Sequence, residues 1–419
     1  MARILSRGRS FLLGALVTAL TVTAQETPSW NGRLKDGIGA ISAGQYEVAV
    51  QILTPLLEAS KAFPAGDLRR ANCALSLATA YQQQGRLELA EPMYQLARSI
   101  LEQAAGPQAR RSLGIALHGL GELRSVMGQW NEAEQLLGSA QAACREAGGE
   151  NEPCALASMV HLGQLYALEN RNQDAETTLT QAIEVLRRAA FPPADLLADA
   201  LRTLGGVYRQ QGRYTQTEPL FREALELSRR LGETHPLVAD RLVDLGGLYT
   251  LEHDTARGEP LLAKAVRIYE TNQDPHLADA LSELGSVALE EGNYAIAKED
   301  FERSLAMYQK SFGTNHVLIA QSEAGLAQAY LGEKNYKQAD SLIRRAIAIG
   351  KACLGDAHYS VARLLMVAGK VQERAHHSSE ADAYYRQALA IYRHSLPDDH
   401  PDRTEAEREY AHFAKSFRK

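Results

Sequence analysis

The stretch LRTLGGVYRQQGRYTQTEPLFREALEL, residues 201–227, decides the fold. Leu201, Leu204, Gly205 and Tyr208 recur at i, i+3, i+4 and i+7, which places them on one face of a helix. Gly212 ends that helix, and after Arg213 and Tyr214 a second one carries Thr217, Phe221, Ala224 and Leu225 at i, i+4, i+7 and i+8. Two amphipathic helices joined by so short a turn make an antiparallel hairpin. Alone, such a hairpin cannot bury both apolar stripes, so it needs a neighbour of its own kind.

The neighbours are present. The small residue at Gly205 recurs as Gly37, Ala78, Gly121, Gly163, Gly246, Gly285, Ala327 and Gly369, with successive spacings of 41, 43, 42, 42, 41, 39, 42 and 42 along the whole series. Three residues after the small slot come Tyr81, Tyr166, Tyr208, Tyr249 and Tyr330. Twelve after it lies a second, mostly small slot, and sixteen after it a large apolar residue: Leu53, Tyr94, Leu137, Leu179, Phe221, Leu262, Phe301, Ile343 and Tyr385. Nineteen after it, Ala97, Ala140, Ala182, Ala224, Ala265, Ala346 and Ala388 allow close helix approach. Small residues set the crossing distance and large ones on the partner fill the gap. The expected fold is therefore all-α: a right-handed α-solenoid of about nine hairpins over residues 25–400, closed by a capping helix over 401–419 in which Ala411 keeps the spacing and Glu405, Glu407, Arg408, Lys415, Arg418 and Lys419 make the outer side polar.

This pattern resembles the tetratricopeptide repeat family, and its period of about 42 residues is similar to the kinesin light chain subtype. The residues that carry the resemblance are Ala90-Glu91-Pro92-Met93-Tyr94, Thr217-Glu218-Pro219-Leu220-Phe221 and the loop from Gly232 to Ala239. The sequence departs from the subtype where a pair of Asn precedes the small slot, having Arg202-Thr203, Val243-Asp244 and Ser282-Glu283 instead. Kinesin cargo binding is therefore not carried over. The carboxylate clamp of chaperone-binding relatives is also missing, since the corresponding turns hold Ile38, Thr79, Glu122, Gln164 and Gly206. Pro153, Pro236, Pro275 and Pro401 are expected to open first helices, where the missing N–H is no loss, whereas Pro92, Pro219 and Pro260 predict a kink or a late start in second helices.

Residues 1–24 differ in kind. Arg3, Arg7 and Arg9 precede an apolar run from Phe11 to Val22, and small residues lead to a cleavage site after Ala24, which reads as a bacterial signal peptide for the general secretory route. The run is too short for a stable membrane span. Its removal takes three of the 45 basic residues and none of the 51 acidic ones, leaving a formal charge of −9 that argues against nucleic acid or anionic membrane as a partner. The expected location is the periplasm or outside the cell.

Cys144 and Cys154 flank a short inter-repeat loop and are a candidate disulfide, while Cys73 and Cys353 read as small buried hydrophobes. His235, His276, His316, His358 and His400 recur in inter-repeat loops and are read as loop hydrogen-bonding residues. His376 and His377 share a turn, which does not hold ligands at a fixed helical spacing, so no metal and no cofactor is expected. No phosphate loop, His-Glu-x-x-His, Gly-x-Ser-x-Gly or paired Cys-x-x-Cys is present, and no enzyme activity is expected. The site expectation is geometric: first helices line an inner groove through Asn72, Gln82, His118, Glu122, Gln164, Asp199, Arg202, Arg209, Asp240, Asp279, Ser282, Gln321, Gln328, Arg363 and Lys370. The expected function is an exported scaffold binding a protein or peptide there. The alternative is a structural subunit of an envelope assembly or homo-oligomer.

Overall fold

The computed structural model describes residues 28–64, 66–189 and 193–417; the leader expected over 1–24 lies outside them. Among the described residues there is no strand, and the helices come in pairs. Unit one, Met1–Val207, holds α1 Pro28–Ser42 with α2 Tyr46–Ala59, α3 Leu68–Gln83 with α4 Leu87–Leu101, α5 Pro107–Val126 with α6 Trp130–Gly148, and α7 Pro153–Leu168 with α8 Asn172–Arg188. Helix α9, Ala194–Gln210, crosses into unit two, Tyr208–Lys419. There α10 Tyr214–Ser228 is followed by α11 Pro236–Leu251 with α12 Thr255–Asn272, α13 Leu277–Glu290 with α14 Tyr294–Phe312, α15 Val317–Gly332 with α16 Tyr336–Leu354, α17 Tyr359–Arg374 with α18 Ser378–Ser395, and the closing helix α19 Pro401–Phe417. Among the described residues the fold class is the α-solenoid of nine hairpins and a cap. The division into two compact units has no counterpart in the even repeat spacing.

The spacing of sixteen has a direct physical cause. A Cβ added at Gly37 would stand 2.6 Å from Leu53, at Gly121 2.8 Å from Leu137, at Gly163 2.5 Å from Leu179, at Gly246 2.7 Å from Leu262 and at Gly369 2.6 Å from Tyr385. Each large side chain lies flat against the bare backbone of the preceding helix. The alanines nineteen residues after the small slot are all fully buried. Packing this close leaves no room for a methyl group unless the partner side chain moves.

The turn inside each hairpin is equally regular. Seven residues after the small slot, Gly44, Gly85, Gly128, Gly212 and Gly292 have φ between 72° and 75°, and Asn170, His253, Lys334 and His376 adopt the same left-handed conformation at 58° to 63°. The next N–H reaches back across the helix end in every hairpin, as in Arg86 N to Tyr81 O at 3.0 Å and Asp254 N to Tyr249 O at 2.8 Å. This closes the last carbonyls of the first helix.

Between repeats, the loop histidines act as helix caps. The Nδ1 of His235, His316, His358 and His400 accepts from the N–H two residues on, at 3.1, 3.3, 3.1 and 3.2 Å. His276 instead pairs with Asp274 at 2.7 Å. His400 does more: with Nδ1 accepting, Nε2–H donates to Gln210 O at 3.0 Å, and Pro401 sits where a Cβ on Gly212 would be, 2.3 Å from its Cδ. Within residues 208–419 the start of α19 thus returns to the first residues of the unit.

Several expectations need correction. Helices α4, α10 and α12 begin at Leu87, Tyr214 and Thr255, a full turn ahead of Pro92, Pro219 and Pro260, so the late start does not occur. Pro275 precedes α13 instead of opening it. Ala411 keeps the spacing but is exposed; the cap docks through Ala406 and Phe413, the latter 5.2 Å from the Tyr385 ring. Cys73 is buried, which pushes its thiol up to about 12, but Cys353 is exposed. Cys144 and Cys154 are joined, with Cα atoms 5.8 Å apart, and the Cys144 sulfur occupies the space a Cβ on Gly114 of α5 would need.

Four stability outcomes follow from this packing. Gly246→Val should lower the unfolding free energy by about 1–3 kcal/mol in urea titration, and Leu262→Ala by about 2–5 kcal/mol. Lys334→Gly should stabilise: relief of a left-handed non-glycine residue is about 1–2 kcal/mol, against an added unfolded-state entropy of about 0.5–1 kcal/mol, so the urea midpoint should rise. Removing the bridge by Cys144→Ala with Cys154→Ala should cost about 3 kcal/mol, and the double variant should no longer respond to reductant.

Candidate functional site

The polar positions of the first helices work mainly as joints between repeats. In unit one, Ser112 Oγ on α5 donates to Asn72 Oδ1 on α3 at 3.1 Å, and Gln82 Nε2 on α3 donates to Glu122 Oε2 on α5 at 2.8 Å. Asn72, His118, Glu122 and Gln164 are buried, so they do not face an open groove; for the first three, residues of the next repeat's first helix lie against them. Gln82 is half-buried, as are Asp199 and Arg202.

One of these joints gathers chemistry. His118 and Glu122 lie one turn apart on α5, and His161 on α7 meets them from the next repeat. His161 Nδ1 is 2.7 Å from His118 Nε2, and Glu122 Oε1 is 3.3 Å from His161 Nε2 and 3.8 Å from His118 Nε2. His118 Nδ1 lies 2.9 Å from Ser158 Oγ, whose own hydrogen goes to Cys154 O at 2.9 Å. Tyr94 OH donates to Gln82 Oε1 at 2.6 Å; its ring can reach so far because Gly119 has no side chain, a Cβ there falling 2.4 Å from the ring. Burial, and then the neighbouring His161, hold the His118 imidazole well below its ordinary pKa. His161 and Ser158 were absent from the sequence expectation, and Tyr94 was expected only as a packing residue. The signal that could have found them is that His161 and Ser158 stand one repeat period, give or take a residue or two, beyond His118.

In unit two the same helix positions behave differently. Asp240 accepts from Tyr269 OH and the buried Asp279 from Tyr308 OH, each tying a first helix to the second helix of its own repeat. Lys370 pairs with Glu409 of the cap at 2.8 Å. Ser282 O accepts from Ser286 Oγ at 3.1 Å, Gln328 is half-buried, and the Arg209 guanidinium lies 6.0 Å from the centre of the Phe221 ring. Of the fifteen expected groove residues only Gln321 and Arg363 are exposed. Arg363 of α17 occupies the position of Asp240 and Asp279. Protein around it disfavours its charge, but Asp402, Tyr392, Tyr359 and Glu283 outweigh that and raise its pKa. Tyr214 of α10 is raised by burial and by the same Asp402, with Arg363 and Arg209 opposing. Arg363 is exposed as a residue, and the acidic groups that act on its charge are Asp402 of α19 and Glu283 of α13; the Glu283 carboxylate rests 3.2 Å from where a Cβ on Gly247 would be.

Among the described residues no helix is long and apolar enough to cross a membrane. Stacked helical hairpins with polar joints between them define an all-helical repeat protein. Family models described as Tetratricopeptide repeat match residues 112–188, 196–271, 276–352 and 325–394, and a further one matches 70–108. These matches cover more than half of the sequence, and the chain belongs to the tetratricopeptide repeat family. No curated protein sequence matches it. Similar solved structures include the apo form of RapI, with TM-score 0.65 and 16% identity over 87% of this chain and 97% of that one. The apo form of the quorum sensor NprR from B. thuringiensis has TM-score 0.63 and 14% identity over 86% and 97%. A Rap protein complexed with Competence and Sporulation Factor has TM-score 0.62 and 14% identity over 88% and 98%. At these identities the likeness is one of fold.

Proposed function

We propose that the chain is an exported, non-catalytic adaptor that holds a peptide or an extended protein segment against the inner face of residues 208–419, with Arg363 as the charged contact. The observation that carries this reading is Arg363 itself: it is exposed, and acidic groups of α13 and α19, Glu283 and Asp402, act on its charge. Most other polar positions of the first helices are spent on joining repeats or hairpins. An arginine that keeps an open approach can give a carboxylate two hydrogen bonds in one plane. A Rap protein of similar fold is complexed with Competence and Sporulation Factor, which supports a fold of this kind holding a partner. Export is supported by the leader over residues 1–24 and by the Cys144–Cys154 bridge, which needs an oxidising compartment. The charge of −9 left after leader removal favours partners other than nucleic acid.

The test is a fluorescence-anisotropy screen of short linear peptides against residues 25–419. Binders should carry a carboxylate, and Arg363→Ala should weaken them by roughly tenfold or more, as expected for a hydrogen bond to a charged group at about 1.5–3 kcal/mol. Binders that are indifferent to Arg363→Glu would place the contact elsewhere.

A further inference from the structure

The hydrogens at the joint between α5 and α7 do not add up. The single hydrogen of the Ser158 hydroxyl goes to Cys154 O at 2.9 Å, so its oxygen accepts from His118 Nδ1, which must carry the ring hydrogen. His118 Nε2 then presents a lone pair. Glu122 Oε2 is taken by the Gln82 amide, which leaves Oε1 as the free oxygen. His161 faces both acceptors, with Nδ1 2.7 Å from His118 Nε2 and Nε2 3.3 Å from Glu122 Oε1. A neutral imidazole has one hydrogen for these two contacts, so two lone pairs meet in a buried place where such a contact is costly. A cation at the centre removes the conflict.

We propose that His118, Glu122 and His161 form a binding site for a divalent first-row transition ion, Zn²⁺ foremost, which links the third and fourth repeats. His118 would ligate through Nε2, Glu122 through Oε1 and His161 through one ring nitrogen, and the set is buried with its ligand atoms all within 4.8 Å of one another. Tetrahedral coordination at about 2.0–2.1 Å puts ligand atoms roughly 3.3 Å apart. The distances of 3.3 and 3.8 Å to Glu122 Oε1 are close to that value, while the 2.7 Å contact opens as the His161 ring turns one nitrogen to the ion. The supporting shell is already in place. Ser158 orients His118, Gln82 orients Glu122, and Tyr94 orients Gln82. Outer hydrogen bonds of this kind fix the tautomer and direction of metal ligands. Two imidazoles and one carboxylate suit Zn²⁺, with a fourth position for water.

The same joint is held by two other links, which gives the ion a structural meaning. Cys144 at the end of α6 is bonded to Cys154 at the start of α7, and Arg111 on α5 makes two hydrogen bonds, of 2.7 and 3.0 Å, to Glu152 just before α7. A metal bridge from α5 to α7 would fix the angle between these repeats from the inner side.

The experiment uses residues 25–419 without a histidine tag, stripped with chelator and titrated with Co²⁺. One equivalent should bind and give visible d–d bands, and Zn²⁺ should displace it and raise the thermal midpoint. Glu122→Gln and His161→Gln should abolish the bands with the far-ultraviolet circular dichroism unchanged, and Gln82→Ala should weaken binding roughly 10–100-fold. Should the variants fail to fold, ¹⁵N-histidine spectra of the unaltered chain decide the matter. On adding Zn²⁺, His118 should keep its Nδ1 hydrogen while its Nε2 moves to the metal-bound range. No Co²⁺ bands in the unaltered chain, bands that persist in Glu122→Gln, or a doubly protonated His161 indifferent to Zn²⁺ would each overturn the proposal, the last assigning the central cation to a proton.

Discussion

The structure depends on a large side chain of the second helix lying against a glycine or alanine of the first, on bare backbone at Gly37, Gly121, Gly163, Gly246 and Gly369. Leu179 against Gly163 and Leu262 against Gly246 bring two helices so close that the second small slot and the alanine beyond it are fully enclosed. Proximity of this order makes the hairpin stiff but leaves both outer apolar stripes uncovered. Stacking is then obligatory, and each repeat's stability is the sum of its own packing and its neighbours'. The left-handed residue at each turn serves the same end, because it lets the chain reverse direction without loosening that contact.

Close stacking also decides what the polar residues of the first helices can do. Where the next first helix covers them, they become paired joints, as with Gln82 and Glu122 or Ser112 and Asn72. Burial gives such pairs their consequence: an unpaired donor or acceptor there costs more than a surface one, so the joints are satisfied or hold something that satisfies them. The joint of His118, Glu122 and His161 is short of hydrogens and rich in lone pairs. In unit two the corresponding layer is tied by tyrosine hydroxyls to Asp240 and Asp279, and at Arg363 the position carries a cation instead and stays open to water. At the register six residues before the small slot, exchanging Asp240 or Asp279 for Arg363 turns a tie within the hairpin into an exposed cation.

The loop histidines show how a residue type can be read correctly in role and incompletely in reach. Their recurrence at one place in the period points to loop hydrogen bonding, and four of the five accept a helix N–H through Nδ1. That His400 also reaches Gln210, 190 residues earlier in the chain, could not be read from the local pattern, because it depends on how far the repeats of unit two turn before the cap arrives.

Sequence alone determined the all-helical hairpins, their number, the small and large slots and the closing helix, because those follow from side-chain size and a period of 3.6 residues, which are properties of the chain read locally. It named His118, Glu122 and Arg363 as polar residues of the inner layer, but as equals. Only the tertiary structure decided which of them are covered, since burial at these positions depends on the rise and twist from one repeat to the next, and small differences in that geometry bring His161 onto Glu122 while leaving Arg363 in water. The capping helix makes the same point in miniature: Ala411 holds its place in the period yet is exposed, and Phe413 does the docking.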